Sequence, residues 1–253
     1  MTIASAALAS HPAVDQKAPE GYLSAEIIDQ LVLNIPAAPM AGSELDLADK
    51  ALSAQYRQLE DSDRWLLATG HSELRPPLAL QHFDCTLGFR LSTAETPHLT
   101  QIFVRLMHDA DGVAERVKAR AARPRPVGDD PQRRSCQRVS EAGRQSPSYP
   151  SGSATVAAAY GEALADLVPE QAEALRATAH QISLSRIVCG MHYPTDVSEG
   201  ETAGRAVFTA ITEAPAYQRD RQAALTEITA ARALGQTSPS CAAEAVALKT
   251  PLP

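Results

Sequence analysis

From Ser24 onward the apolar residues recur at helical spacing, and nowhere do they alternate with period two for long enough to build a strand. That pattern predicts an all-α fold, a single-domain helical bundle. Ser43 is placed to cap a helix carrying Leu45, Leu52, Tyr56 and Leu59, and Thr96-Pro97 opens another with Leu99, Ile102, Phe103, Leu106 and Met107 on one face. After the turn Pro150-Ser151-Gly152-Ser153 comes a run rich in alanine, with Ala154, Ala157, Ala158, Ala159, Ala163 and Ala165 set among Val156, Tyr160, Leu164 and Leu167. Small side chains let helices approach closely, so this helix is predicted to lie deep in the bundle with its N-terminus at the site described below. Pro169-Glu170 starts the next helix, which reaches Ser185 and Arg186; another follows Pro194, and a last one runs from about Pro215 to Ala233.

Residues 24–235 are read as the helical domain, 1–23 as a poorly ordered arm or signal remnant, and 236–253 as a C-terminal tail. A length of 253 residues with 44% hydrophobic content suits one domain with its own core. The net charge of -7 argues against a nucleic-acid or anionic-membrane surface, and no apolar run approaches the ~18 residues that span a bilayer.

The chemistry concentrates in Ser185-Arg186-Ile187-Val188-Cys189-Gly190-Met191-His192-Tyr193-Pro194-Thr195-Asp196. Pro194 suits the first turn of a helix, which sets His192 at the junction and Asp196 one turn on. A carboxylate there can hold one imidazole nitrogen and leave the other free as base or nucleophile, although a single His–Asp pair is more often structural. Two upstream stretches join it. Lys118 stands seven residues before Arg125-Pro126, and Pro150-Ser151-Gly152 precedes the alanine-rich run, whose helix N-terminus would offer free N–H groups to an anion.

Together the three stretches resemble the signature of the type 2 phosphatidic acid phosphatase / vanadium haloperoxidase superfamily: Lys-x6-Arg-Pro, Pro-Ser-Gly-His, and Ser-Arg-x5-His-x3-Asp. Lys118, Arg125 and Pro126 match the first block, Pro150, Ser151 and Gly152 the second, and Ser185, Arg186, His192 and Asp196 the third. Ser153 stands where the family has its second histidine. Ile35-Pro36-Ala37-Ala38-Pro39, Gly42-Ser43, Arg64-Trp65-Leu66-Leu67-Ala68-Thr69 and Ser148-Tyr149 are similar to the class A bacterial non-specific acid phosphatases, so the resemblance covers about residues 35 to 235.

The resemblance implies an acid phosphatase that hydrolyses, or transfers, the phosphate of small organic phosphomonoesters, periplasmic or secreted. Lys118, Arg125 and Arg186, with Ser151 and the Gly152 N–H, would bind the phosphoryl group. His192 would be the nucleophile that becomes a phosphohistidine, and Asp196 would orient it. No metal or other cofactor is called for. Inorganic phosphate or vanadate would inhibit, and a homo-oligomer is compatible with the family. Arg120 and Arg123, outside the motif, are read as solvated surface charges. Position 153 is catalytic in the family, protonating the departing alkoxide and later activating water; serine cannot do this near neutral pH, which implies reduced activity. Two alternatives remain, a phosphate-binding pseudoenzyme favoured by Ser153 alone and a vanadium-dependent haloperoxidase built on the same three blocks.

Cys85, Cys136, Cys189 and Cys241 allow three pairings, and their spacing fits no zinc motif. Buried thiols and bridges are both open on that reading. The resemblance to secreted phosphatases favours disulfides, Cys136 with Cys189 beside the motif blocks and Cys85 with Cys241, the latter tethering the tail.

Overall fold

The structure, a computed structural model, describes residues 20–92 and 94–253. Among them all regular structure is helical and no strand occurs, as the apolar periodicity predicts. Most of the predicted N-terminal arm, residues 1–19, lies outside the described residues. Its last residues are docked: the Tyr22 N–H donates to Asp109 Oδ2 at 2.7 Å and its hydroxyl to Asp220 Oδ2 at 2.7 Å.

Three helices open the chain, α1 (Ala25–Leu33), α2 (Glu44–Gln55) and α3 (Asp63–Gly70). Each begins at a serine whose hydroxyl accepts an otherwise unpaired N–H of the first turn: Ser24 from Ile27, Ser43 from Asp46, and Ser62 from Trp65. Ser43 is therefore the cap its sequence position predicts. Of the residues expected to face inward, Leu52 packs on the core and Tyr56 and Leu59, in the turn after α2, are buried, but the first half of α2 turns differently. Leu45 and Leu47 are exposed, whereas Asp46, Asp49 and Ser53 are buried, because the helix faces a buried arginine described below.

The short α4 (Asp84–Leu87) ends at Gly88, whose φ of +78° lies in the left-handed region that glycine reaches without strain. The chain then enters the 22-residue α5 (Pro97–Lys118), which buries Leu99, Ile102, Phe103 and Leu106. Between α5 and the alanine-rich helix run two short helices, α6 (Pro126–Asp129) and α7 (Glu141–Gln145). The remainder is α8 (Gly152–Leu167), α9 (Ala172–Val188), α10 (Pro194–Thr212), α11 (Pro215–Leu234) and α12 (Cys241–Ala247).

α8 is the central helix, packed on α5, α9 and α10 and buried on nearly every side. Its small residues permit this closeness, and so do glycines on its partners. A Cβ added at Gly204 of α10 would overlap the Thr155 carbonyl oxygen. Phe103 of α5 stacks on Tyr160 of α8 with ring centroids 4.0 Å apart, inside the larger of two apolar clusters. The smaller cluster joins Tyr56, Leu59 and Trp65 to Ile187, Val188 and Val197 around Cys136 and Cys189. Fully burying one such side chain contributes ~1.5–3 kcal/mol.

Both disulfides pair as the resemblance implies. Cys85–Cys241 fastens α12 to α4, and Cys136–Cys189 fastens the segment before α7 to the end of α9. The motif stretches meet where α5 and α9 end and α8 and α10 begin. Backbone bonds lock that junction: Ser148 N–H to Arg123 O at 2.8 Å, Ser151 N–H to Asp196 O at 2.8 Å, and Val127 N–H to Gly190 O at 3.1 Å.

Candidate active site

His192 follows the tight turn at Gly190, whose φ is +67°, and precedes Pro194, so its backbone is fixed from both sides. The side chain is buried at 2% exposure. Its Nδ1 lies 2.8 Å from the Ser148 carbonyl oxygen, and its Nε2 is 2.9 Å from Arg125 Nη1. A guanidinium can only donate, so Nε2 is the acceptor and Nδ1 carries the proton. Burial first, then Arg125, Arg186 and Lys118, hold the His192 pKa well below the usual imidazole range. The imidazole is therefore neutral, with one lone pair directed at the cationic side of the site.

Asp196 is not the direct partner of His192 that the sequence suggests. Its Oδ2 stands 3.9 Å from Nδ1 and instead accepts the Ser148 hydroxyl at 2.6 Å and the Tyr193 N–H at 2.8 Å. The second of these is the helix cap of α10, so the carboxylate cannot also turn toward the ring. Between the two stands the Ser148 hydroxyl, whose oxygen is 3.4 Å from His192 Nδ1. Burial raises the Asp196 pKa, opposed by the charge of Arg123 and by these hydrogen bonds.

Arg123, read from sequence as a surface charge, is 5% exposed. Nη1 donates to Asp196 Oδ1 at 2.7 Å, and Nη2 to Asp46 Oδ1 at 3.1 Å and Asp49 Oδ2 at 2.8 Å. Its guanidinium also covers the Tyr193 ring at 4.5 Å. This cluster ties α2 to the start of α10 and explains why α2 turns carboxylates inward. Nothing local in the sequence announces it, because its four members come from three distant stretches. Arg120, by contrast, is exposed, as expected of a surface charge, and donates to the Val32 carbonyl at 2.6 Å.

The three motif cations converge. Arg125 also donates through Nε to Ser146 Oγ at 2.9 Å and through Nη1 to the Met191 carbonyl at 3.2 Å. Arg186 is buried and donates from Nη2 to Gln137 Oε1 at 2.9 Å, while its Nε and Nη1 find no acceptor among the described residues. Burial and the neighbouring Arg125 push its pKa down to about 10. Two buried donors with no acceptor are costly, at ~1–3 kcal/mol each, unless an anion takes them. Lys118 Nζ rests on Glu115 Oε1 at 2.6 Å and would lie 3.3 Å from a Cβ placed on Gly152. A Cβ at 152 would crowd the ammonium where it nears the start of α8.

Ser151 caps α8 by accepting the Ala154 N–H at 3.2 Å, which leaves the N–H groups of Gly152 and Ser153 directed out of the helix end. Ser153 is half-buried in this first turn. Ser185 bonds to none of the three motif cations but to Arg64 Nη1 at 2.8 Å and His71 Nδ1 at 2.8 Å, among the described residues, where it braces α9 against α3. A cavity of about 690 Å³ is bounded by Pro36, Lys50, Arg123 and Tyr149 and by none of Lys118, Arg125, Arg186 or His192. Among the described residues no three His, Cys, Asp or Glu side chains are grouped to hold a metal ion, and no helix is long and apolar enough to cross a membrane.

The sequence profile of the PAP2 superfamily matches residues 99–220. The acid phosphatase of Zymomonas mobilis is 30% identical over 206 residues, 81% of this chain and 78% of that protein. The non-specific acid phosphatase of Providencia stuartii is 25% identical, over 81% of this chain and 82% of its own length. Among solved structures, a bacterial vanadium-dependent iodoperoxidase superposes with a TM-score of 0.50 at 15% identity, covering 71% of this chain and 51% of that one, a likeness of fold alone.

Proposed function

The chain belongs to the PAP2 superfamily, with relatives named acid phosphatase, and within it we propose a phosphomonoesterase, periplasmic or secreted, that transfers the phosphoryl group of small organic esters to His192 and then to water. The observation that carries this reading is the pairing of a neutral His192, Nε2 lone pair outward, with the two unpaired donors of buried Arg186.

In this scheme a phosphate ester takes up the donors of Arg186, Arg125 and Lys118 and the N–H groups at the start of α8. Arg125 leaves Nε2 as it does so, and the lone pair it held is then free to attack phosphorus. Phosphoryl transfer has spread negative charge in its transition state, so three cations already gathered at the site supply much of the stabilisation once they exchange their present partners for the ester oxygens. The imidazolium formed on attack is offset by Asp196 through the Ser148 relay, and the Ser148 carbonyl keeps the Nδ1 proton in place. Serine at 153 offers no acid for the leaving oxygen. With no other donor, esters of poor leaving groups would react ~10²–10⁴-fold more slowly.

The test is hydrolysis of nitrophenyl phosphate by the purified chain beside His192→Ala. Turnover that vanishes in the variant, with a denaturation-stable phosphate on residue 192 in the parent, is the expected result. Turnover that survives His192→Ala would remove the nucleophile assignment.

A further inference from the structure

We propose that Asp111 of α5 is the acid–base residue of this site, giving its proton to the leaving oxygen and later taking one from the incoming water, in place of the titratable group missing at Ser153. This rests on the phosphohistidine reading above. Asp111 is half-buried two helical turns before Lys118, on the same face of α5. A point 3.3 Å from Lys118 Nζ, the Cβ direction of Gly152, is 3.8 Å from Asp111 Oδ1. The carboxyl thus flanks the first residue of α8, beside the ammonium that would hold the phosphoryl group and one residue from Ser153.

Neither catalytic step assigned to His192 uses this carboxyl, and among the described residues no hydrogen bond holds it elsewhere. The charged and titratable groups facing it are Lys118, Glu115 and His108 on its own helix and Tyr160 on α8. Burial raises its pKa to about 6, with Lys118 opposing and Glu115 assisting. A bound phosphate ester adds negative charge nearby and pushes the value further up, so the acid form persists in the complex. A carboxyl poised in this range is suited to give and take protons under mildly acidic conditions.

The proton and electron count closes over one turnover. In the first step the Nε2 lone pair of His192 forms the N–P bond, the P–O bond to the leaving group breaks, and the oxygen keeps that electron pair and takes the Asp111 proton. Asp111 is left as carboxylate. In the second step Asp111 removes a proton from water as the water oxygen bonds to phosphorus, the N–P bond breaks with its pair returning to Nε2, and Asp111 is again an acid.

Asp111→Asn is the test, with kcat/KM followed from about pH 4 to 8 on an alkyl phosphate and on nitrophenyl phosphate. The expected result is a loss of ~10²-fold or more on the alkyl ester, with phosphorylation by the nitrophenyl ester changed less than about 3-fold, and disappearance of the descending limb near pH ~6 on the alkyl ester. A merely structural role would lower both esters together and leave the limb in place, and that outcome overturns the proposal. So does an unchanged alkyl rate. If the Asn variant does not fold, carbon-detected titration of the parent's Asp111 carboxyl decides instead: a pKa near ~6 that rises on adding vanadate supports the assignment, and an ordinary value indifferent to vanadate overturns it. Absence of His192-dependent hydrolysis of either ester by the parent overturns the phosphatase reading itself, a result distinct from an Asp111 failure.

Discussion

The Nδ1 atom of His192 is 2.8 Å from the backbone carbonyl oxygen of Ser148, and Asp196, at 3.9 Å, reaches the imidazole only through the Ser148 hydroxyl. A backbone acceptor cannot be lost by side-chain substitution, so the tautomer of His192 should outlast changes at Asp196. In Asp196→Asn the nitrophenyl ester should still phosphorylate His192, with a rate lowered by about 10-fold as the imidazolium loses its counter-charge. Loss of all phosphorylation in a folded Asn variant would mean that the carboxylate itself fixes the ring.

The depressed pKa of His192 carries a pH consequence. A lowered pKa keeps the imidazole neutral to lower pH, so the nucleophile is not protonated as pH falls through ~6.5. With nitrophenyl phosphate, rapid-quench measurement of the first step should show no acid-side decline near that value once the ester's own ionisation is allowed for. A decline there would place an ordinary imidazole in the site.

Arg123 is bonded to Asp46 Oδ1, Asp49 Oδ2 and Asp196 Oδ1 at once. Arg123→Ala leaves these carboxylates buried around a lost charge and should cost about 3–5 kcal/mol in urea unfolding at neutral pH. The loss should shrink on acidification. Burial already raises the Asp196 pKa against the opposing charge of Arg123; deprived of the arginine it rises further, the folded state binds more protons than the unfolded chain, and relative stability rises as pH falls through the raised value. Arg123→Lys should recover part of the difference.

Ser153→His and Asp111→Asn form a cycle. With Asp111 present, a histidine at 153 should raise alkyl-phosphate turnover by less than about 10-fold, whereas in the Asp111→Asn background it should raise it by ~10²–10⁴-fold. Equal large gains in both backgrounds would show that Asp111 contributes no proton.

The Cys136–Cys189 bridge closes a segment of 53 residues and lies one residue from Gln137, the partner of Arg186. Replacing both cysteines with serine should lower stability by about 2–4 kcal/mol. It should also weaken vanadate binding, measured by inhibition, because Gln137 no longer holds Arg186 Nη2. Unchanged inhibition at a temperature where the variant is folded would separate the bridge from the site.

The helical class, the positions of the main helices and the identity of the motif cations were legible in the chain before it folded. Those properties are written locally, in apolar spacing, in serine caps such as Ser43 and Ser151, and in glycine and proline at fixed places. Tertiary structure alone decided how charges are shared among them. Asp196 looked like the partner of His192 because the two are four residues apart, but the cap of α10 and the Ser148 hydroxyl claimed its oxygen first. Arg123 looked like solvated charge, and the inward carboxylates of α2 went unread, because each is explained only by the other across 74 to 77 residues of chain. Asp111 carries no motif, and its place beside Gly152 follows from the closeness of α5 and α8, which the alanines and glycines permit but do not spell out. A pattern of residue types fixes what each segment can become; which buried charge meets which is set by desolvation, and that exists only once the helices have packed.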